Sequence, residues 1–339
     1  MIRVVIAEDS AVVRELLVNI LQSDPEIAVV GTAKDGIEAV TMAEELHPDV
    51  ITMDIRMPKM DGVEATRVIM EQAPTRIVIV SASVDQAESQ PAFEAIKAGA
   101  LTLVEKPHGL HHKDYQAIKN NLVKTIKIMS HVKVVTRWRS RGNEGAAGQN
   151  RKVSTKLIAI GASTGGPAAL SHILKDLPAD LPVPIVIVQH MTPGFGPAFA
   201  TWLDSESPMP VRITQMGEEI RPGSVYIAPD KYHLGIDKTG KAVLSTQILS
   251  YNSHRPSINY MFETVAKSYG AKGLGVLLTG MGEDGALGLR EIKSAGGKTI
   301  VQDERSCVVF GMPKSAIAIG AADKVVPLDK IAGAILAAL

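Results

Sequence analysis

Apolar runs of four or five residues recur along the first third of the chain: VVIA (4–7), IAVVG (27–31), VITM (50–53), RIVIV (76–80) and LTLV (101–104). Between them lie segments with helical periodicity, at 11–23, 36–47, 62–72, 86–98 and 112–129. Runs without polar alternation are the mark of parallel strands covered on both faces. Five strand–helix units in succession predict a doubly wound parallel sheet.

The pattern fades after Val135 and resumes near Ser154. LIAIG (157–161), PIVIVQ (184–189), GLGVLLT (273–279) and KTIVQ (298–302) read as central strands of a second sheet. The shorter β-like pieces VRIT, SVYIAP, HLGI and AVLST, between 211 and 246, predict a small hairpin-rich insertion. Helices are expected to start after Gly166, Gly196, Pro256, Glu283, Pro313 and Pro327, several with an early proline. The fold class is therefore α/β, with two doubly wound parallel-sheet domains. The predicted boundaries are 1–128 and 155–339, joined by residues 129–154.

That connecting segment carries seven basic residues against one acid, Glu144, between Lys133 and Lys156. It reads as a solvated, basic, flexible linker. Otherwise charge changes little. The formal net charge over 339 residues is zero, which gives no general pull toward nucleic acid or membranes. A single cysteine, Cys307, excludes an intramolecular disulfide and suits a reducing cytoplasm. No apolar run is long enough to span a bilayer, and the amino terminus reads as a strand, so a cytoplasmic location without membrane insertion is expected.

The first domain gathers acids. Glu8 and Asp9 follow the first strand and Asp54 follows the third. Strand carboxyl ends converge on one crevice in an open parallel sheet, so these carboxylates should cluster and need a cation. All-oxygen ligands favour a hard ion such as Mg²⁺. Ser81 and Lys106, at the ends of the fourth and fifth strands, would add a hydroxyl and an ammonium for a phosphoryl group on Asp54. With Glu8-Asp9, MDIRMPKMDG (53–62), VSAS (80–83) and EKP (105–107), the segment resembles the receiver domain of two-component response regulators. The resemblance implies that Asp54 accepts phosphate from a histidine kinase. It also implies Mg²⁺ held by Glu8 or Asp9, Asp54 and the Arg56 carbonyl. The family usually carries Tyr or Phe three residues before the lysine as a rotamer switch; Leu103 stands there.

The second domain begins with LIAIGASTGGP (157–167). Gly161-x-Ser163-x-Gly165 fits a tight strand-to-helix turn that presents a nucleophilic serine. Ser163 needs a base. His190, after PIVIVQ, is the best placed of nine histidines, with His233 and His254 as further loop candidates. His108, His111 and His112 read as polar loop residues, and His47 and His172 as helix residues without a chemical neighbour. Asp284, in TGMGEDGALG (279–288), would orient the imidazole, with Asp230 and Asp303 as competing acids. The glycines around Met281 allow backbone amides to converge on an oxyanion.

IGASTGGP, VQHM, VYIAP, HRPSIN, LLTGMGEDGA and QDERSCVVFGMPKSAI occur in order across this half. They resemble the catalytic domain of the chemotaxis protein-glutamate methylesterases. The resemblance implies Ser163 as nucleophile, His190 as base, Asp284 as orienting acid and the Met281 amide as an oxyanion contact. It implies methyl-accepting chemoreceptors as partners, receptor glutamine deamidation as a second activity, and no cofactor for the esterase step. Asn259 stands where the family often has Asp, and Gly194–Pro197 varies the loop after His190; the resemblance implies that both bear on receptor contacts and leave the chemistry in place.

Other classes fit less well. GASTGG lacks both the G-x-G-x-x-G spacing of a dinucleotide loop and the Gly-Lys-Ser/Thr of a P-loop. No stretch of the second half reads as a basic helix-turn-helix. A receiver-controlled binding module without catalysis is the alternative, and the filled Ser/His/Asp set argues against it. Both domains in one chain imply that the resting receiver restricts access to Ser163 and that phosphorylation of Asp54 relieves the restriction.

Overall fold

The computed structural model describes residues 1–82, 86–107, 115–132, 154–247 and 254–339. Most of the basic linker, and His108, His111 and His112, lie outside these residues. The chain divides into two compact units, Met1–Trp138 and Arg139–Leu339.

The first unit is the expected five-stranded sheet. Its strands are β1 (Ile2–Ala7), β2 (Ile27–Ala33), β3 (Val50–Met53), β4 (Arg76–Ser81) and β5 (Thr102–Glu105). All neighbours are parallel, in the order β2-β1-β3-β4-β5. Helices α1 (Ala11–Gln22), α2 (Gly36–Leu46), α3 (Gly62–Gln72), α4 (Gln86–Ala98) and α5 (Tyr115–Met129) cover the faces. Three start on side-chain caps: Ser10, Asp35 and Asp61 each accept a hydrogen bond from an amide of the first turn. Strand order reverses between β1 and β3, and that is where the crevice opens.

The second unit holds a seven-stranded parallel sheet. It comprises β6 (Leu157–Ala162), β7 (Ile185–Gln189), β8 (Val211–Ile213), β9 (Val225–Ile227), β12 (Gly273–Leu277), β13 (Lys298–Gln302) and β14 (Lys324–Val326). The order is β14-β13-β12-β6-β7-β9-β8. A separate antiparallel hairpin pairs β10 (His233–Ile236) with β11 (Ala242–Ser245). The hairpin is the expected insertion, but VRIT and SVYIAP are not part of it. They form β8 and β9, which extend the main sheet beyond β7. Val225, Tyr226 and Ile227 are all buried, a two-sided burial that such a short run does not advertise.

Helices α6 (Gly166–Lys175), α7 (Gly196–Glu206), α8 (Ile258–Tyr269), α9 (Ala286–Ser294), α10 (Met312–Ala318) and α11 (Leu328–Leu336) complete the unit. Helices α8 and α9 pack closely beside the candidate site. Gly288 lies against α8 so closely that a methyl there would sit 2.6 Å from the Asn259 carbonyl oxygen and 2.7 Å from Phe262 Cβ. Asn259 itself is buried and accepts the Gly288 amide through Oδ1 at 2.8 Å. Asn259 thus serves the packing of α9 on α8.

Gly288→Ala tests this packing. Helix propensity alone favours alanine by about 1 kcal/mol. Overpacking against a backbone oxygen costs about 1–3 kcal/mol. Net destabilisation in urea unfolding is expected; a stabilised variant would show that the two helices can separate freely.

Candidate active site and phosphoacceptor cluster

Three neighbouring strands of the second unit, β12, β6 and β7, end at one rim. Ser163 is the first residue past β6, and its amide donates to the Thr279 carbonyl past β12, at 3.0 Å. His190 is the first residue past β7, and its amide donates to the Ala162 carbonyl at 2.9 Å. Gln189 clamps the two turns. Its Nε2 donates to the carbonyls of both Ser163 (2.8 Å) and His190 (2.7 Å).

The glycines of the serine turn have separate causes. Gly165 has φ +78°, a left-handed conformation that side chains resist, and Val308 fills the space a methyl would need. Gly161 is flat against Ile258 of α8, 2.3 Å from where a Cβ would stand. Gly280 packs on Ser163 Cβ, 2.6 Å from where a Cβ of its own would stand. Half-buried Met281 follows it and precedes Gly282, whose φ is +85°. The backbone around Ser163 is thus crowded by design of small residues, which fixes the turn.

His190 Nε2 lies 2.9 Å from Asp284 Oδ2. Its other nitrogen, Nδ1, is buried without a hydrogen-bond partner among the described residues. With the ring proton on Nε2 and directed at Asp284, Nδ1 keeps a lone pair for a hydroxyl proton.

Asp284 is 4 % exposed and saturated with donors. Oδ1 accepts from the amides of Asn259 (3.0 Å) and Gly285 (2.9 Å) and from the Ser257 hydroxyl (3.2 Å). Oδ2 accepts from the Ile258 amide at 2.8 Å besides His190. The Ser257, Ile258 and Asn259 groups form the start of α8, where unsatisfied amides and the helix dipole favour an anion, and the Gly285 amide comes from the turn before α9. Burial pushes the carboxyl upward, but the hydrogen bond and charge of His190 and the α8 amides outweigh it, holding Asp284 at about 2.

The competing acids serve elsewhere: Asp230 accepts the Gly194 amide at 2.7 Å, and Asp303 accepts from Ser306. His233 is buried in β10, held between the Ser257 amide on Nδ1 and the Gln247 carbonyl on Nε2. Burial lowers its pKa, which suits a neutral structural ring. His254 stacks on His190, with ring centroids 4.4 Å apart and planes 6° from parallel. Sequence reasoning did not single out Gln189, Ser257 or the stacking role of His254. Their signals were the polar residue ending an otherwise apolar strand and the His-Arg-Pro-Ser run before a helix.

In the first unit, Ala7 pairs with Met53, so Glu8 and Asp54 emerge side by side. Both are buried, and Asp9 beside them is exposed. Lys106 Nζ lies 2.8 Å from Glu8 Oε2 and 2.8 Å from Asp54 Oδ2. Its amide donates to the carbonyl of Ser81, which is itself buried. Burial raises the pKa of both Glu8 and Asp54; the Asp54 charge adds to the effect at Glu8, and Lys106 offsets part of it at each. Burial works against the Lys106 charge, but hydrogen bonds to Asp54 and Glu8 prevail and raise its pKa. Oxygens of Glu8, Asp9 and Asp54 lie within 4.8 Å of one another, an all-oxygen set that fits a hard divalent cation. Arg56 lines an adjoining cavity of about 530 Å³ together with Asp9 and Asp61. Leu103 is half-buried on β5.

The CheB methylesterase family matches residues 158–335, and the response regulator receiver domain matches residues 4–113. The chain belongs to the CheB methylesterase family. A protein of Nitrosospira multiformis named protein-glutamate methylesterase/protein-glutamine glutaminase is 50% identical, over 99% of this chain and 96% of that one. A Thermotoga maritima protein of the same name is 43% identical, over 97% and 96%. The solved CheB methylesterase catalytic domain of Thermotoga maritima covers 55% of this chain and all of its own, at 44% identity and TM-score 0.53. Among the described residues no helix is long and apolar enough to cross a membrane.

The charge state of Asp284 gives a pH test. Its folded pKa, about 2, lies below the ordinary carboxylate value of 3.8. The resulting stabilisation is present above about pH 4 and lost as pH falls through about 2. Asp284→Asn should therefore cost about 2 kcal/mol at pH 7. The gap from the parent, followed by acid-dependent unfolding, should close toward pH 2. A constant gap would mean that the carboxylate charge does not matter.

Proposed function

We propose that this chain is a phosphorylation-controlled esterase that removes methyl esters from glutamate side chains of chemoreceptors in the cytoplasm. The observation that supports it most directly is the His190–Asp284 pair at 2.9 Å, on the rim where Ser163 follows β6. Ser163 Oγ attacks the ester carbonyl as His190 Nδ1 takes its proton. The Met281 amide stabilises the oxyanion. His190 returns the proton to the departing methanol. Water, activated by the same nitrogen, then releases glutamate and restores Ser163. An amide follows the same path with ammonia leaving, so receptor glutamines are the second substrate. Asp284 holds the ring and stabilises the imidazolium.

Control resides in the receiver. Asp54 takes a phosphoryl group from a histidine kinase, and Ser81 and Lys106 bind its oxygens. Glu8, Asp9, Asp54 and the Arg56 carbonyl would hold Mg²⁺, whose charge offsets that of the phosphoryl oxygens. Lys106, now paired to Glu8 and Asp54, is the group that must change partners on phosphorylation. Leu103 in place of an aromatic means that such exchange cannot be relayed by an aromatic flip at that position.

Methanol release from methylated receptor membranes should rise with a small-molecule phosphodonor plus Mg²⁺, and Asp54→Asn should remove the increase. Release that ignores the phosphodonor would keep the chemistry and reject Asp54 control. Ser163→Ala should abolish turnover while receptor binding persists; a fully active Ser163→Ala would sink the assignment. A 155–339 fragment should exceed the resting full chain in rate. Equal rates would assign the receiver an activating or localising role.

A further inference from the structure

We propose that the rim carries a second, inhibitory cation site: His190, His254 and Asp284 bind a borderline divalent transition ion of the Zn²⁺ class and switch the esterase off reversibly. The proposal rests on the esterase reading for its consequence, though not for the binding itself. One nitrogen from each histidine and one carboxylate oxygen of Asp284 lie within 4.8 Å of one another. Two imidazoles and a carboxylate are the donor set of many three-ligand zinc sites, with the fourth position left to water. The contrast within the chain is chemical. The Glu8–Asp9–Asp54 cluster offers only oxygens, which suit Mg²⁺, whereas the rim offers nitrogen, which suits Zn²⁺.

Two of the three ligands are already held. Asp284 is fixed by the α8 amides, and His190 Nε2 points at it from 2.9 Å. The imidazole planes of His190 and His254 are 6° from parallel, and parallel rings cannot aim lone pairs at one ion. Binding therefore asks His254 to tilt. His254 is exposed, whereas the side chains of His190 and Asp284 are only 9% and 3% exposed, so His254 is the ligand that has to tilt.

The inhibitory consequence follows from proton placement. An ion at His190 Nε2 takes the lone pair there and displaces the proton directed at Asp284. A neutral metal-bound imidazole carries its proton on the other nitrogen, so that proton relocates to Nδ1. Nδ1 then becomes a donor and has no lone pair for the Ser163 hydroxyl. The Nε2–H bond is exchanged for an Nδ1–H bond, no other covalent bond of the protein changes, and a chelator restores the original tautomer.

The test uses the full chain in millimolar Mg²⁺, so that the receiver cluster is saturated with its preferred ion. Free Zn²⁺ is set with a chelator buffer. Zn²⁺ bound per chain is counted in Ser163→Ala and in Ser163→Ala/His254→Phe; phenylalanine keeps a stacking ring and removes the ligand. The double variant should bind one Zn²⁺ fewer. Equal counts would overturn the site whether or not the esterase reading holds. In parallel, Zn²⁺ should inhibit methanol release by the parent and be reversed by EDTA. His254→Phe, scored as inhibition relative to its own Zn²⁺-free rate, should need about tenfold more Zn²⁺ or higher. Inhibition at unchanged Zn²⁺ in His254→Phe would overturn the proposal. If His254→Phe fails to fold, His254→Gln gives the same two readings. A missing Zn²⁺ equivalent without inhibition of an active parent would keep the binding site and reject its control of His190.

Discussion

The docking of a buried carboxylate on the start of α8 is the constraint on which the rest of the rim around Ser163 depends. Asp284 takes two α8 amides and the capping hydroxyl of Ser257 before it meets His190. An acid so supplied stays ionised despite burial, and its position is set by backbone rather than by a flexible partner. The position of His190 then follows, since Nε2 is tied to Asp284 and its backbone to Ala162. Ile258 carries the constraint further: its amide binds Asp284, and its side chain lies over Gly161 beside Ser163. One helix terminus therefore couples the acid, the base and the serine turn.

The two buried acid sites of this chain solve opposite problems. Asp284 and Asp54 are both desolvated, yet their pKa values move in opposite directions. The difference lies in what surrounds each. Asp284 faces N–H and O–H donors on every side, so ionisation is already compensated. Asp54 faces Glu8 and Asp9, with Lys106 as its cationic neighbour, so negative charge is left over. A site with uncompensated charge is poised to gain a cation and then an electrophile. A site with full compensation holds one geometry without an ion, and an ion enters it only by displacing a proton already there. The same parallel-sheet rim supports both because strand carboxyl ends place loop residues together without fixing their identity.

Much of this was legible in the sequence, for identifiable reasons. Continuous apolar runs mark parallel strands, and each of the residues Ser163, His190, Glu8 and Asp54 comes directly after one. The edge strands were less legible. β8 and β9 have three residues each, too few to separate a sheet edge from an inserted hairpin. The support around Asp284 was illegible for a different reason. Backbone amides at a helix start carry no residue code, and Ser257 reads only as a cap. His254 could be named as a histidine near the site, but its stacking on His190 is a tertiary fact.

The arrangement also explains how Ser163, His190 and Asp284, far apart in sequence, come to one rim. Each residue is delivered by its own strand, and β12, β6 and β7 are adjacent in space in an order unrelated to their order in sequence. Geometry at the rim requires only that three neighbouring strands end together and that one helix terminus lie within reach of the acid. The strand pairing meets the first requirement through Leu277 beside Gly161 and Ala162 beside Gln189. The second is met by the close approach of α8 and α9 at Gly288, which brings the α8 amides to Asp284 in the turn before α9. A glycine between two helices thus bears on the placement of Asp284. Its substitution should disturb the His190–Asp284 contact before it disturbs the sheet.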